Sequence, residues 1–577
     1  MYILGISCYY HDSAAAILKD GIIIAAAEEE RFTRKKHDTS FPLNAINYCL
    51  KEAGIMGKQL DHIAFYEKPI LKFERLMAQH FQAWPKSFPS FHKAMPSWMV
   101  EKLRVPKTIA KKTGYKGDVL FIEHHLAHAA SAFLPSPFEK AAILTVDGVG
   151  EWSTTTLGVG DGNDIHLTKE IKFPHSLGLL YSTVTAFLGF TVNNSEYKVM
   201  GLAPYGKPKH VDKFRKLIRI AKDGSYALDM SYFVYHYKMT MPGPKFIELF
   251  GKPRKPSDPM THHYEDIASS LQVITEEIIF GLLNYLHQET KLDNLCMAGG
   301  VALNTVANGK ILDKTPFKKL WIQPAASDAG TSLGAAIYTY NTILGKKRVY
   351  KQTHAYLGPE YSTTEIEDYL KANSIIYSTF KTDKEMMDTT AKLIAEDNVI
   401  GWFQGRMEWG PRALGSRSIL SNASNPDMKE ILNLKVKHRE KFRPFAPVVT
   451  VEDANDWFEM KRDEVPYMLF IFPVRKEKRK IIPSVTHVDG SGRMQTISKE
   501  QNPRYYGVIK AFEKITKVPV LINTSFNIRG EPIVCTPHDA YRCMMGTGID
   551  YLVMDRFLIK RDDNPKDMWD SEALATD

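Results

Sequence analysis

One arrangement of strands is written into this chain twice, and that repetition limits the fold more than any other feature. In the first copy, "YILGIS" is a short apolar strand, "SAAAILKDG" a second ending in an Asp-Gly turn, and "GIIIAAAEEERF" a third. "FPLNAINYCLKEAGI" then sets Leu43, Ile46, Leu50 and Ala53 on one helical face with Gly54 as the stop, and "DHIAFY" returns to strand. The second copy opens with "KAAILTVDGVGEWSTTTLGVGDG", again strand, glycine turn and strand. Its long helix, near "YEDIASSLQVITEEIIFGLLNYL", carries Ile267, Leu271, Ile274, Ile278 and Leu282 in one stripe, the mark of core packing. "NLCMAGGVALNTVANG" and "LWIQPAASDAGTSLGAAI" each read as strand, glycine-rich turn and helix. Two α/β halves around a cleft are therefore expected, with a Lys-, Pro- and Met-rich insertion over 205–262.

At 577 residues the chain exceeds what one core can serve, so a second domain is needed. "LGKKRVYKQTHAYLGPEYST" has linker character, and beyond it the composition shifts toward Arg, Asn and Pro loops. The expected domains are 1–350 and 351–577. Strand, turn and helix order in the first resembles the ribonuclease-H-like halves of the actin, heat-shock ATPase and sugar-kinase superfamily. The net charge of +9 suits nucleotides and other small anions as well as RNA, so charge does not choose between them. Cys8, Cys49, Cys296, Cys535 and Cys543 never form a CxxC pair, which argues against a disulfide framework or thiolate zinc site. No apolar run reaches transmembrane length, and "MYILGISCYY" has no basic leader region. A cytoplasmic location without a membrane partner is expected.

Three histidines stand in the five residues "HHLAH", 124–128. On a helix His124 and His128 share a face while His125 points elsewhere. A bare His-x-x-x-His on an alanine-rich helix is more often core or capping than ligand. Asp147, at the end of the strand in "TVDGVGEW", and Asp328, near a helix start in "SDAGTSLGAA", alter that balance. Two His and two Asp at element ends facing one cleft suit a divalent ion, with the mixed N/O set fitting Fe or Mn better than structural zinc.

Gly299-Gly300 and Gly148, with Asn304 nearby, can bring backbone amides against an anion or ribose of a nucleotide in the first domain. The second domain gathers Arg406, Arg412 and Arg417, then Lys437, Arg439 and Arg443, then Arg493, Asn523 and Asn527. A solvated basic face is the plain alternative, but it sits poorly with "GPRALGSRS", where arginines lie among loop-forming small residues. Arginine forks match phosphate and carboxylate oxygens in pairs, which points to a site for a nucleotide and a second anion.

Taken in order, "ILGISCYYHDSAAAIL", "EEERFTRKKHDTSFP", "HHLAHAASAF", "SEYKVMGLAPYG", "MAGGVALN", "SDAGTSLGAA", "GRMEWGPRALGSRSIL", "REKFRPFAP" and "NTSFNIRGEPIV" resemble the O-carbamoyltransferases of the nodulation-factor, cephamycin and tobramycin type. That resemblance implies a first domain like the catalytic subunit that makes threonylcarbamoyl-adenosine in tRNA, and a YrdC-like α/β second domain. It assigns His124, His128, Asp147 and Asp328 to a metal, of the Fe(II) type. Arg412, Lys437, Arg443, Arg493 and Asn523, with Arg417 beside them, would hold ATP (with Mg2+) and carbamoyl phosphate. The second domain would make carbamoyl adenylate, and the first would transfer its carbamoyl group to a small-molecule hydroxyl acceptor. His11 and Asp12 are then candidates to position or deprotonate that hydroxyl. A homodimer is compatible with the family, and no nucleic acid partner is expected.

Other readings remain open from sequence. A protein-modifying carbamoyltransferase of the hydrogenase-maturation type would carry an acylphosphatase module and CxxC pairs, which this chain lacks. An RNA-modifying enzyme, or a nucleotide-binding partner of RNA or chaperone type, would be marked by a basic-aromatic stacking stripe, and none is apparent.

Overall fold

The computed structural model describes residues 1–440 and 442–565, and its chain contacts separate two compact units. One comprises 1–29 and 37–352; the other comprises 30–36 and the chain from 353 onward.

The first unit is an α/β duplication. Strands β1 (Tyr2–Ser7), β2 (Ala14–Lys19), β3 (Ile22–Glu28), β4 (His62–Phe65) and β5 (Val119–Phe121) lie in the order β3-β2-β1-β4-β5. The first three pair antiparallel, and β4 and β5 continue parallel to β1. The turn between β2 and β3 puts Asp20 at φ 50° and Gly21 at φ 83°, the left-handed pair an Asp-Gly hairpin calls for. Helix α1 (Leu43–Ala53) follows and ends on Gly54 in the left-handed region. The second half repeats the scheme with β6 (Lys140–Val146), β7 (Ser153–Asp161), β8 (Asp164–Lys172), β9 (Asn294–Ala298) and β10 (Lys319–Ile322), ordered β8-β7-β6-β9-β10. Its pairing senses are the same. This is the duplicated ribonuclease-H-like arrangement.

Each half lends a helix to the other. Helix α2 (His124–Phe133), which follows β5, packs on β6 and β9; helix α4 (Asp328–Tyr338), which follows β10, packs on β1 and β2. The two helices meet through their small residues. A Cβ on Gly334 would lie 1.8 Å from the Ala127 carbonyl oxygen, so only glycine permits that approach. The long helix α3 (His262–Thr290) buries the stripe Ile267, Leu271, Ile274, Ile278 and Leu282. The consequence for function is geometric: the N-termini of α2 and α4 and the ends of β1 and β6 all arrive at one cleft.

Two segments depart from a bare repeat. The 205–262 insertion is a short helix Val211–Leu217, a hairpin Ile218–Ile220 with Tyr226–Leu228, and a helix Pro244–Phe250. Between β4 and β5 the chain adds helices Pro69–Gln82, Phe88–Val100 and Val105–Thr113, each with a proline in its first turn. The sequence reading had passed over these three.

The second unit centres on a nine-stranded mixed sheet among the described residues. Its strands are β11 (Ser378–Thr379), β12 (Ile400–Phe403), β13 (Arg417–Asn422), β14 (Ala446–Thr450), β15 (Phe470–Pro473), β16 (Ser491–Ile497), β17 (Val520–Ser525), β18 (Tyr551–Met554) and β19 (Phe557–Lys560). They are ordered β11-β19-β18-β12-β13-β17-β14-β16-β15. The sequence places 30–36 within the first domain, yet the segment is built into the second unit. Arg31 donates to the Gly410 carbonyl at 2.9 Å, Arg34 to those of Ile533 and Pro532 at 2.7 and 2.8 Å, and Phe32 packs against Met407, Ala413, Ile533 and Cys535. No described helix is long and apolar enough to cross a membrane.

Candidate functional site

Helix α2 starts at His124 because Glu123 is extended and the Glu151 carboxylate accepts from the His124 backbone N–H at 3.1 and 3.2 Å. One helical turn later His128 falls on the same face, their ring centroids 4.6 Å apart. Asp147 follows the last residue of β6, and Asp328 opens α4. His124 Nε2 lies 3.1 Å from Asp147 Oδ2 and 3.7 Å from Asp328 Oδ1, while His128 Nε2 lies 3.9 and 3.6 Å from the same two oxygens. One donor atom from each of the four falls within 4.8 Å of all the others. All four side chains are buried.

These residues fit a cation. Ligand atoms around a tetrahedral ion with bonds of ~2.1 Å stand about 3.4 Å apart, close to the observed separations. His128 Nε2 and both Asp328 oxygens have no hydrogen-bond partner, and burying a carboxylate in that condition costs several kcal/mol, roughly, unless a charge compensates it. Asp147 is aimed by its surroundings, its Oδ1 accepting the Gly300 N–H at 2.9 Å. Gly150 leaves room for the His124 ring, which a Cβ there would approach to 2.9 Å.

Electrostatics follow from the crowding. Burial opposes charge on His128, but the carboxylates of Asp147 and Asp328 facing it lift its pKa to about 9. Asp147 is held well below the usual carboxylate range by His124 and His128 despite its burial. Asp328 is lowered too, against burial, chiefly by His11 and His124. His125 turns out of the group, its Nδ1 2.7 Å from Thr145 Oγ1, and burial followed by the charges of His124 and His128 pushes its pKa well down.

A polar chain runs alongside. Asp12, at φ 51°, sits between two imidazoles: His37 Nδ1 is 2.6 Å from its Oδ1 and His11 Nδ1 3.2 Å from its Oδ2. His37 Nε2 in turn meets Asn194 Oδ1 at 3.0 Å, and His11 Nε2 is 3.9 Å from Asp328 Oδ2. Burial works against both charges. Even so, Asp328 and Asp12 lift His11 to about 10, and His11 and His37 keep Asp12 well below its ordinary value. Neither His37 nor Asn194 was assigned a role from sequence, though His37 stands in the "KKHDTS" of a recognised motif.

Nearby, Tyr10 reaches toward Gly148, where a Cβ would lie 3.8 Å from its hydroxyl, and Lys72 Nζ stands 5.0 Å over the Tyr10 ring. Arg75, 9% exposed, rests over the Phe173 ring at 5.1 Å, and its Nε and Nη1 have no hydrogen-bond partner. Burial pulls the Arg75 pKa down to about 10. No sequence signal marked Arg75. The glycine turns serve the fold first. Gly299 donates to the Ala326 carbonyl, Gly300 holds Asp147, and Asn304 caps the helix Thr305–Lys314 while exchanging two hydrogen bonds with Gln272 at 3.0 and 3.1 Å.

In the second unit Glu408 organises the "GPRALGSRS" loop, its Oε1 accepting the backbone N–H groups of Leu414, Ser416 and Arg417 at 2.7, 2.7 and 3.1 Å. Arg417 is fully buried, donates to the carbonyls of Gln404, Ser416 and Pro359, and lies 3.6 Å over Phe403. Asn523 donates to the Ala413 carbonyl at 3.1 Å and Gln495 Oε1 at 2.8 Å, which ties β17 to β16 and to the loop. Arg493 lies two residues before Gln495 on β16, so both project from the same sheet face. Lys437 donates to the Ser525 carbonyl and to the carbonyl and side-chain oxygens of Asn527. Burial, then Arg439, Arg443 and Lys36, drives its pKa well down. Arg439, Arg443 and Lys36 gather positive charge around it, with Arg443 partly offset by Glu440 at 3.4 Å. Arg412 precedes Ala413, whose carbonyl accepts from Asn523.

Comparison with known proteins adds to this geometry. The family described as "Carbamoyltransferase N-terminus" matches residues 2–337, and "Carbamoyltransferase C-terminus" matches 391–561. An uncharacterized protein of Synechocystis sp. is 49% identical over 98% of this chain and 97% of its own. Nodulation protein NolNO of Sinorhizobium fredii is 38% identical over 98% of this chain and 81% of its own. Nodulation protein U of the same species is 26% identical over 96% and 98%. Among solved structures, HypF of T. kodakarensis overlaps 60% of this chain and 48% of its own at 14% identity and a TM-score of 0.31. ROK hexokinase of Thermus thermophilus overlaps 60% and 100% at 15% identity and a TM-score of 0.30. Overlaps this slight carry no weight for the fold or the chemistry.

Proposed function

This chain belongs to the carbamoyltransferase family, and on that premise we propose that it is an ATP-dependent O-carbamoyltransferase that modifies a hydroxyl of a small molecule. The observation that carries this reading is the buried meeting of His124, His128, Asp147 and Asp328 beside His11 and Asp12.

The second unit would prepare the carbamoyl group. Water converts carbamoyl phosphate to carbamate and phosphate. A carbamate oxygen then attacks the α-phosphorus of ATP, forming carbamoyl adenylate as the bond to the β-phosphate breaks and pyrophosphate leaves. Arg412, Lys437, Arg443 and Arg493 supply positive charge to the phosphates (with Mg2+ on the ATP), and Glu408 and Asn523 fix the loop that carries them.

In the first unit the acceptor oxygen attacks the carbamoyl carbon, its proton passes to a base, and the bond to the adenylate phosphate breaks to release AMP. His11, its Nδ1 oriented by Asp12 with His37 behind that carboxylate, would position the hydroxyl and take its proton in the neutral form, which a cation neutralising Asp328 favours. His124, His128, Asp147 and Asp328 would hold a divalent cation of the Fe(II) type, which supplies Lewis acidity toward the carbamoyl or phosphate oxygens when bound. Arg75, a buried cation without a hydrogen-bonding anion of its own, suits the adenylate phosphate.

Incubation with ATP, labelled carbamoyl phosphate and a panel of alcohols tests this, with products read by mass. A carbamate ester accompanied by AMP is expected. Formation of neither under any condition would overturn the reading.

A further inference from the structure

The helical insertion between β4 and β5 carries a surface that carbamoyl transfer does not use. Phe81, Trp84 and Phe88 are 69%, 60% and 49% exposed at the join of helices Pro69–Gln82 and Phe88–Val100. Trp84 and Phe88 are in edge contact at 5.8 Å, Phe88 meets His92 at 5.9 Å, and the His80 ring lies 5.7 and 5.4 Å from Phe81 and Trp84. The tip that displays them is braced from within. Ser87 Oγ donates to the His80 carbonyl and meets His80 Nδ1 at 2.9 Å, and the His80 ring stacks on Phe91 at 3.9 Å. Three large aromatic side chains held outward by an ordered scaffold are costly to leave in water.

Charge selects the occupant. Across the insertion, 69–113, nine Lys and Arg stand against Glu74 and Glu101, and the two cations nearest the aromatics in sequence, Lys86 and Lys93, are exposed. Pairing with a second copy of the same face would set these lysines against their equivalents with no carboxylate to answer them. An anionic bilayer supplies what the patch lacks: a negative surface for the lysines and an interfacial zone that accepts Trp and Phe. The absence of an apolar run of spanning length does not bear on this surface, because a hairpin lying in the interface needs none. We propose that this aromatic-basic hairpin docks the protein on anionic membrane surfaces. Helix Pro69–Gln82 also carries Lys72 and Arg75 at the cleft, so docking would hold the site within about 20 Å of the lipid.

Flotation of the purified chain with phosphatidylcholine vesicles, with and without phosphatidylglycerol, tests this independently of catalysis. Binding should require phosphatidylglycerol and weaken at high salt. It should fall roughly tenfold or more in Phe81→Ser/Trp84→Ser/Phe88→Ser and in Lys86→Glu/Lys93→Glu. These side chains are exposed, so circular dichroism and thermal unfolding should be unchanged. Absence of binding to anionic vesicles at low salt would overturn the proposal, as would binding that both variants retain. So would dimerisation in lipid-free solution that the aromatic variant abolishes, since a second copy would then be the occupant.

Discussion

Adjacent imidazoles on α2 face different environments. His124 Nε2 looks toward Asp147 and Asp328, whereas His125 Nδ1 meets Thr145 Oγ1. His128→Ala should therefore lower bound metal, read by mass spectrometry, and cut ester formation at least a hundredfold. His125→Gln should leave metal content intact and cost about 1–3 kcal/mol of stability through the buried hydrogen bond, measured by denaturant unfolding. Arg75 makes a different prediction. Its guanidinium is buried without a hydrogen-bonding partner, and replacing such a charge by an apolar side chain of similar length is often neutral or stabilising. Arg75→Met should match or exceed the wild-type unfolding midpoint while raising the KM for the anionic substrate. A loss of stability with unchanged kinetics would show a structural role. The spacing in "HHLAH" made the division between His124/His128 and His125 legible; Arg75 was not, because nothing local distinguishes it from a surface arginine.

At the level of elements, loops and turns bring the chemistry to a fixed place. Glu408 holds the amides of Leu414, Ser416 and Arg417 in the 414–417 turn, and its other oxygen is buried. Glu408→Ala should destabilise the second unit by about 2–4 kcal/mol and abolish ATP–pyrophosphate exchange. Gly150→Ala presses a methyl to 2.9 Å from the His124 ring; the expected result is a folded protein with weakened metal binding, seen by titration of the stripped protein. Alternating and 3.6-residue periods marked the repeated strands and the long α3 helix. Helices Pro69–Gln82 and Val105–Thr113 carry a regular helical period, but the prolines in each first turn, and Pro96 inside Phe88–Val100, make the same stretch read as loop.

For the whole molecule, the proposed function divides into two half-reactions, one for each compact unit. His128→Ala should retain ATP–pyrophosphate exchange with carbamoyl phosphate and lose transfer to the acceptor. Lys437→Met should lose both. Retained transfer from supplied carbamoyl adenylate in Lys437→Met would confirm the division, and equal loss of every step in both variants would refute it. The lysine's donors go to Ser525 and Asn527, so its loss also loosens the turn after β17; thermal unfolding must accompany the assay.

The sequence alone determined the repeated strand order, the α/β class, the imidazole and carboxylate side chains at 124, 128, 147 and 328, and the basic character of the second unit's loops. These rest on periodicity, glycine turns and side-chain chemistry, all of which are local. Only tertiary structure decided which of those residues meet. The exchange of α2 and α4 between the two halves brings residues 181 positions apart in order, Asp147 and Asp328, onto the same pair of imidazoles. It also placed segment 30–36 in the second unit and turned three aromatics outward on a basic hairpin. Contacts between distant parts of a chain depend on how elements pack, and no window along the sequence contains that information.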